Sequence, residues 1–187
     1  MLEVSLLGEI VFRLPGRPTI HIAGQKEIAL LAYLAHTGQA HGREALADLL
    51  WDADSTRQAL SNLRTVLTRL RKQVGEYLIV TRKTVAVIPA VHESTDTIRF
   101  PAMLAGAGNE RSVTGINLLA QGLALYRGEF MQGFYLPHAP RFNDWLLVEQ
   151  ERLHQVAMGG YRRLAGWQEE QGAFSAGVKT CLLYTSP

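Results

Sequence analysis

The chain has 187 residues, of which 47% are hydrophobic and 19% charged, with a formal net charge of +2. That is the composition of a folded globular protein of one or two domains, and it excludes a disordered or fibrous chain. No stretch approaches the roughly 18 apolar residues of a membrane-spanning helix, the N-terminus carries Glu3 before any base, unlike a secretory signal, and a lone cysteine, Cys181, excludes an internal disulfide. A soluble cytoplasmic protein with no membrane association is expected.

Residues 2–22 read as three short strands. Leu2, Val4 and Leu6 alternate with polar or small neighbours, Gly8 allows a turn, and Ile10-Val11-Phe12 follows. Leu14-Pro15-Gly16-Arg17-Pro18 is turn chemistry before the β-branched run Thr19-Ile20-His21-Ile22. A small antiparallel sheet is the expectation. A helix is predicted near residues 26–36, with Ile28, Leu31, Ala32, Leu34 and Ala35 as its apolar stripe and Gly38 as its stop. A second is predicted near 43–51, with Leu46, Leu49 and Leu50 inward and Trp51 at its end.

The third predicted helix carries the most information. Asp54 or Ser55 can cap it and Gly75 can end it. Leu60, Leu63, Leu67, Leu70 and Val74 recur at three- and four-residue spacing and share one face. The opposite face carries Gln58, Ser61, Asn62, Thr65, Thr68, Arg69 and Lys72, with Arg57, Arg64 and Arg71 along one flank. Surface helices ordinarily mix signs to gain i,i+4 attractions, yet this face has no acid. The positive charge of the chain is concentrated in this segment. Residues 57–83 hold seven bases and one acid, Glu76, against four bases and seven acids in 1–54 and eight of each in 96–187. A local basic patch of this kind is the footprint of a polyanion partner, or else a solvated helix face.

Beyond Gly75, Tyr77-Leu78-Ile79-Val80 and Val85-Ala86-Val87-Ile88 flank Thr81-Arg82-Lys83-Thr84, which predicts a hairpin with bases at its tip. Residues 89–95 read as a linker. Helical segments follow from Asp96, with a loop at 106–109, a helix near 116–126, a turn-rich stretch from 128 to 140, and a helix near 142–158. Another is predicted after Gly159-Gly160, and a last one beyond Gln171-Gly172-Ala173. Helices separated by small residues suggest a helical-repeat array.

The sequence holds no P-loop, no GxGxxG after a strand, no HExxH and no GxSxG. Its six histidines (His21, His36, His41, His92, His138, His154) lack metal-ligand spacing. No cofactor and no enzymatic activity are expected.

Three segments carry a family likeness. They are Glu27-Ile28-Ala29-Leu30-Leu31-Ala32-Tyr33-Leu34-Ala35, then Arg43-Glu44-Ala45-Leu46-Ala47-Asp48-Leu49-Leu50-Trp51, then Leu63-Arg64 through Leu67 to Arg69-Leu70-Arg71. In this order they resemble the OmpR-like winged-helix domain of SARP-type bacterial transcriptional activators. Leu123-Ala124-Leu125-Tyr126-Arg127-Gly128-Glu129-Phe130 and the pattern of Trp145, Leu146, Glu149, Arg152 and Leu153 resemble the bacterial transcriptional activation domain that follows it. The resemblance implies an α+β winged helix-turn-helix over residues 1–90, built of an N-terminal antiparallel sheet, three helices and a C-terminal wing hairpin. An all-α, tetratricopeptide-like domain over 96–187 follows, ending so abruptly that C-terminal truncation is expected.

The resemblance also implies sequence-specific binding to double-stranded DNA and transcription activation. The helix near 55–74 would lie in the major groove and the wing near 81–84 at the minor groove. Arg57, Ser61, Asn62, Thr65, Thr68, Arg69 and Lys72 would then face DNA, Arg64 and Arg71 would hold phosphates, and Arg82 and Lys83 would be wing contacts. Arg64 and Arg71 lie nearest the apolar stripe, where pairing with an acid of the preceding helix is the alternative. Binding as a homodimer to direct repeats at promoters and contact with RNA polymerase are implied by the same likeness. A competing reading is a protein-interaction module or regulatory front end of a larger signalling ATPase or cyclase, with no activity of its own.

Overall fold

The computed structural model describes residues 1–14, 16, 19–52, 55–108 and 112–170, the last three by their helical backbone. Five short strands and seven α-helices are present among them. The chain opens with β1 (Glu3–Ser5) and β2 (Val11–Arg13), paired antiparallel with Val4 opposite Phe12. The third expected strand does not form as such. Residues 19–22 return to this sheet only through one bridge, Arg13 with Thr19, and the Ile20 N–H donated to the Phe12 carbonyl at 2.8 Å.

Helix α1 (Gln25–Thr37) buries Leu30, Leu31, Leu34 and their alanine neighbours and ends at Gly38. Gly38 has φ +65° and donates its N–H to Leu34, a left-handed C-cap that a residue without Cβ adopts freely. A two-residue strand β3 (His41–Gly42), absent from the sequence reading, leads into α2 (Arg43–Leu50). Helix α3 (Thr56–Val74) starts where the Ser55 hydroxyl accepts from the Gln58 N–H. The alternative cap, Asp54, lies outside the described residues. Six α3 side chains face the core: Ala59, Leu63, Val66, Leu67, Leu70 and Val74. Leu60, expected among them, is half-buried at the edge of the stripe. A 3₁₀ turn (Gly75–Tyr77) then feeds the hairpin of β4 (Leu78–Val80) and β5 (Thr84–Val87). β3 joins the far side of β5, giving a sheet ordered β3-β5-β4.

The expected linker at 89–95 is instead a helix, α4 (Pro89–Ser94). Pro89 reads as a breaker, but it occupies the first helical position, where its missing N–H costs nothing and its φ is already helical. The residues that follow, Thr95, Asp96 and Thr97, are buried. Helices α5 (Asp96–Gly106) and α6 (Val113–Leu123) pack on one another and on α7 (Pro140–Glu170). α7 is one continuous helix of 31 residues, so Gly159-Gly160 is not the break that the sequence suggested. Its glycine is used for packing: a Cβ on Gly160 would sit 2.8 Å from Leu104 Cδ2 and 2.9 Å from Leu123 Cδ2. The helix expected beyond 171–173, and Cys181, lie outside the described residues.

One hydrophobic cluster runs through the two halves, from Leu2 and Leu31 to Phe100, Phe130 and Phe142. The seam is also polar. The Asp96 carboxylate accepts the N–H groups of Leu6 (2.8 Å) and Leu7 (3.1 Å) and pairs with Arg127 at 2.9 Å. Burial pushes the Asp96 pKa up, against those three donors, which pull it down. His36 is enclosed between Thr97, at 2.8 Å from Nδ1, and Glu149, at 3.1 Å from Nε2. Leu7 bridges Phe130, and the Gly8 N–H reaches the Glu129 carbonyl at 2.9 Å. Gly8 (φ +92°) and Gly128 come so close that a Cβ on Gly128 would lie 3.0 Å from Gly8 Cα.

Candidate nucleic-acid interface

The exposed side of α3 follows from its buried side. Six apolar side chains span about 100° of its circumference, under a third, and most of the rest faces solvent. On it stand Arg57, Ser61, Arg64, Thr65, Thr68, Arg69, Arg71 and Lys72, all exposed, with Asn62 half-buried at the rim. No acid lies in α3. The polar side chains are ordered by local bonds. Gln58 donates to the Asn62 side-chain oxygen at 3.0 Å, and the Thr65 and Thr68 hydroxyls donate back to the carbonyls of Ser61 and Arg64. A threonine whose proton is so used still presents lone pairs and a methyl group outward.

The five bases of α3 differ in their structural reason. Arg71 and Lys72 stand in the last turn, where a cation complements the helix dipole. Arg57 stands in the first turn, where it opposes that dipole. Its place there is not explained by the helix. Arg69 points toward α1 and donates to the Glu27 carboxylate at 3.1 Å. Glu27 is 7% exposed and Arg69 67%, so the arginine closes over a buried acid while part of its guanidinium remains in solvent. The alternative open to Arg64 or Arg71, an ion pair with an acid of the preceding helix, is made elsewhere. It falls to Arg69 and α1 because residue 69 lies on the opposite flank of α3 from 57, 64 and 71. Arg64 and Arg71 make no ion pair with a described carboxylate.

Arg82 and Lys83 sit at the wing tip, where the Thr81 hydroxyl accepts the N–H groups of Lys83 (3.2 Å) and Thr84 (2.9 Å) and fixes the turn. The tip leans over one flank of α3. There a cleft of about 500 Å³ is lined by Arg64, Arg82 and Lys83 together with Arg43, Glu44, Gly42, Leu60 and Leu63. Arg69 and Lys72 lie apart from it, beside a shallower depression of about 340 Å³ with Glu27 and Gln73. The structure thus sorts the sequence-selected bases into a wing side (Arg64, Arg82, Lys83), an α1 side (Arg69, Lys72), and Arg57 and Arg71, which line neither. Arg43 was missed, because in sequence it is a single base among acids. Only the β3–β5 pairing carries it to the wing.

No helix among the described residues is long and apolar enough to cross a membrane. No family model matches the chain. Over 155 residues, 78% of its length, the chain is 26% identical to the regulatory protein AfsR of Streptomyces coelicolor, of which it spans 16%. Its fold is that of part of EmbR from Mycobacterium tuberculosis, solved in complex with a low-affinity phosphopeptide. The two superpose with a TM-score of 0.74 at 21% identity, over 94% of this chain and 47% of EmbR. Sequence likeness to a regulatory protein and a shared fold together support the resemblance of this chain to SARP-type transcriptional regulators.

Proposed function

We propose that the chain is a sequence-specific, double-stranded DNA-binding transcriptional activator whose winged-helix unit, residues 1–90, reads DNA. The observation that carries this reading is the acid-free face of α3 next to a basic wing tip. An α-helix fits the major groove, and arginine or lysine there can contact guanine. Ser61, Asn62, Thr65, Thr68 and Lys72 lie where base edges would be met, and Arg69 offers the part of its guanidinium that Glu27 leaves free. Arg57, Arg64 and Arg71 run along the flank that a phosphate strand would follow. Arg57 in particular gains from an anion what the helix dipole denies it. Arg82 and Lys83 are the wing contacts, at the minor groove and at the strand that borders it. Residues 96–187 serve dimerisation or contact with RNA polymerase, so that two copies occupy direct repeats at a promoter. The likeness to a regulatory protein supports a role without catalysis.

The test is affinity for double-stranded DNA against salt concentration. Each phosphate neutralised contributes about −0.9 to the log–log slope. Arg64→Ala should remove about one such unit uniformly across sequences. Lys72→Ala should also narrow the preference between sequences, because base contacts alone carry sequence information. Wild-type behaviour of both variants sinks the assignment and favours a protein-interaction module instead.

A further inference from the structure

Arg43 opens α2, is half-buried, and has a buried Nε–H with no acceptor. Its own backbone N–H donates to the Lys83 carbonyl at 2.9 Å, which pins the wing tip to the start of α2. The cap of α2, Gly42, supplies no side-chain oxygen, so the first N–H groups of that helix also lack a side-chain acceptor. Arg64 of α3 and Arg82 and Lys83 of the wing line the same cleft, above an apolar floor of Leu60 and Leu63. The sole acid of the lining, Glu44, is exposed in the first turn of α2, where the helix dipole accounts for it. Four bases from three elements therefore converge on one cleft with a single acid among them. An apolar floor strengthens the field of such a cluster.

We propose that this cleft holds one phosphate group of the DNA backbone, with Arg43 as its most buried ligand. The inference rests on the DNA-binding reading above. A DNA strand is the anion that fits best, because Arg57 and Arg71 continue the line of Arg64 along the same edge of α3 and a strand that leaves the cleft stays beside bases. The bound phosphate meets the Arg43 guanidinium at the wall of the cleft, and it fixes the wing, α2 and α3 in one relative position. Arg43 is thus a positioning contact and carries no sequence preference.

The experiment compares variants of the 187-residue chain on random-sequence double-stranded DNA across a salt series. Arg43→Gln should make the log–log slope measurably shallower, by at most about 0.9, one phosphate contact. Arg43→Lys should keep the wild-type slope, and Arg162→Gln, on the exposed side of α7, should leave it unchanged. The exposed pair Arg64→Gln and Lys83→Gln provides a check that does not disturb the core. Because the two bases share one phosphate, the double variant should lose less slope than the sum of the singles. A wild-type slope in Arg43→Gln, or strictly additive losses in the pair, overturns the phosphate site while DNA binding itself stands. Absence of binding by the wild-type chain at low salt overturns the DNA-binding reading and this site with it.

Discussion

Two adjacent glycines in α7 should respond to the same substitution with opposite sign. Gly159 and Gly160 both lie inside a continuous helix, where glycine costs about 0.5–1 kcal/mol relative to alanine through backbone entropy. A Cβ on Gly159 meets nothing within 4 Å, so Gly159→Ala should recover that amount. A Cβ on Gly160 would lie under 3.0 Å from methyl carbons of Leu104 and Leu123, which are 5% and 3% exposed. Those methyls end flexible side chains, but they are enclosed, and forcing them aside costs about 1–3 kcal/mol. Setting the helix gain against this cost leaves Gly160→Ala destabilised by about 1 kcal/mol and separates the two variants by about 2 kcal/mol. Urea denaturation reads the difference as a shift of midpoint at constant slope. In thermal unfolding each kcal/mol moves the midpoint by about 2–4 °C for a chain of this size. Equal stabilisation of both variants would refute the close packing of α5, α6 and α7 around Gly160. Equal loss in both would refute the unbroken helix.

Three further outcomes follow from the seam and the α1–α3 contact. Asp96→Ala strands the buried N–H groups of Leu6 and Leu7 and unpairs Arg127, and should cost about 3 kcal/mol in urea unfolding; a loss below about 1 kcal/mol would show that the seam does not depend on it. Arg69→Ala uncovers the Glu27 carboxylate and should cost about 1–2 kcal/mol of stability, whereas Lys72→Ala, exposed and without an ion-pair partner, loses only a dipole contribution of about 0.3–0.5 kcal/mol, so the two separate folding from DNA contact. Burial holds the His36 pKa below the ordinary imidazole value although Glu149 pulls it up. The neutral ring is therefore favoured in the fold. Its contribution is present above the ordinary value of about 6.5 and is lost as pH falls through the depressed one. His36→Gln should flatten the fall of stability as pH drops from about 6.5 toward the depressed value, and an unchanged pH profile would refute this.

Elements whose cause is local are legible in the amino-acid sequence. The spacing of Leu63, Leu67, Leu70 and Val74 commits α3 to one buried side, and the polar residues between them can only face out. Ser55 and Gly38 mark helix ends through cap chemistry that involves a few neighbouring residues. The basic bias of residues 57–83 needs no structure to be seen.

Tertiary structure decided what depends on a distant partner. Gly159-Gly160 reads as a turn because glycine is a poor helix former, yet at Gly160 the absent Cβ is the space that Leu104 and Leu123 fill. Pro89 marks a helix start rather than a linker, because the helix it opens packs on α1 and β1. The partner of Arg69 sits 42 residues away in α1. Arg43 joins the wing only through the pairing of β3 with β5, two short strands separated by both α2 and α3. Periodicity along a chain reports which face of a helix is inward. It carries no information on which other element stands opposite, and that choice sorts the bases of α3 between Glu27 and the wing.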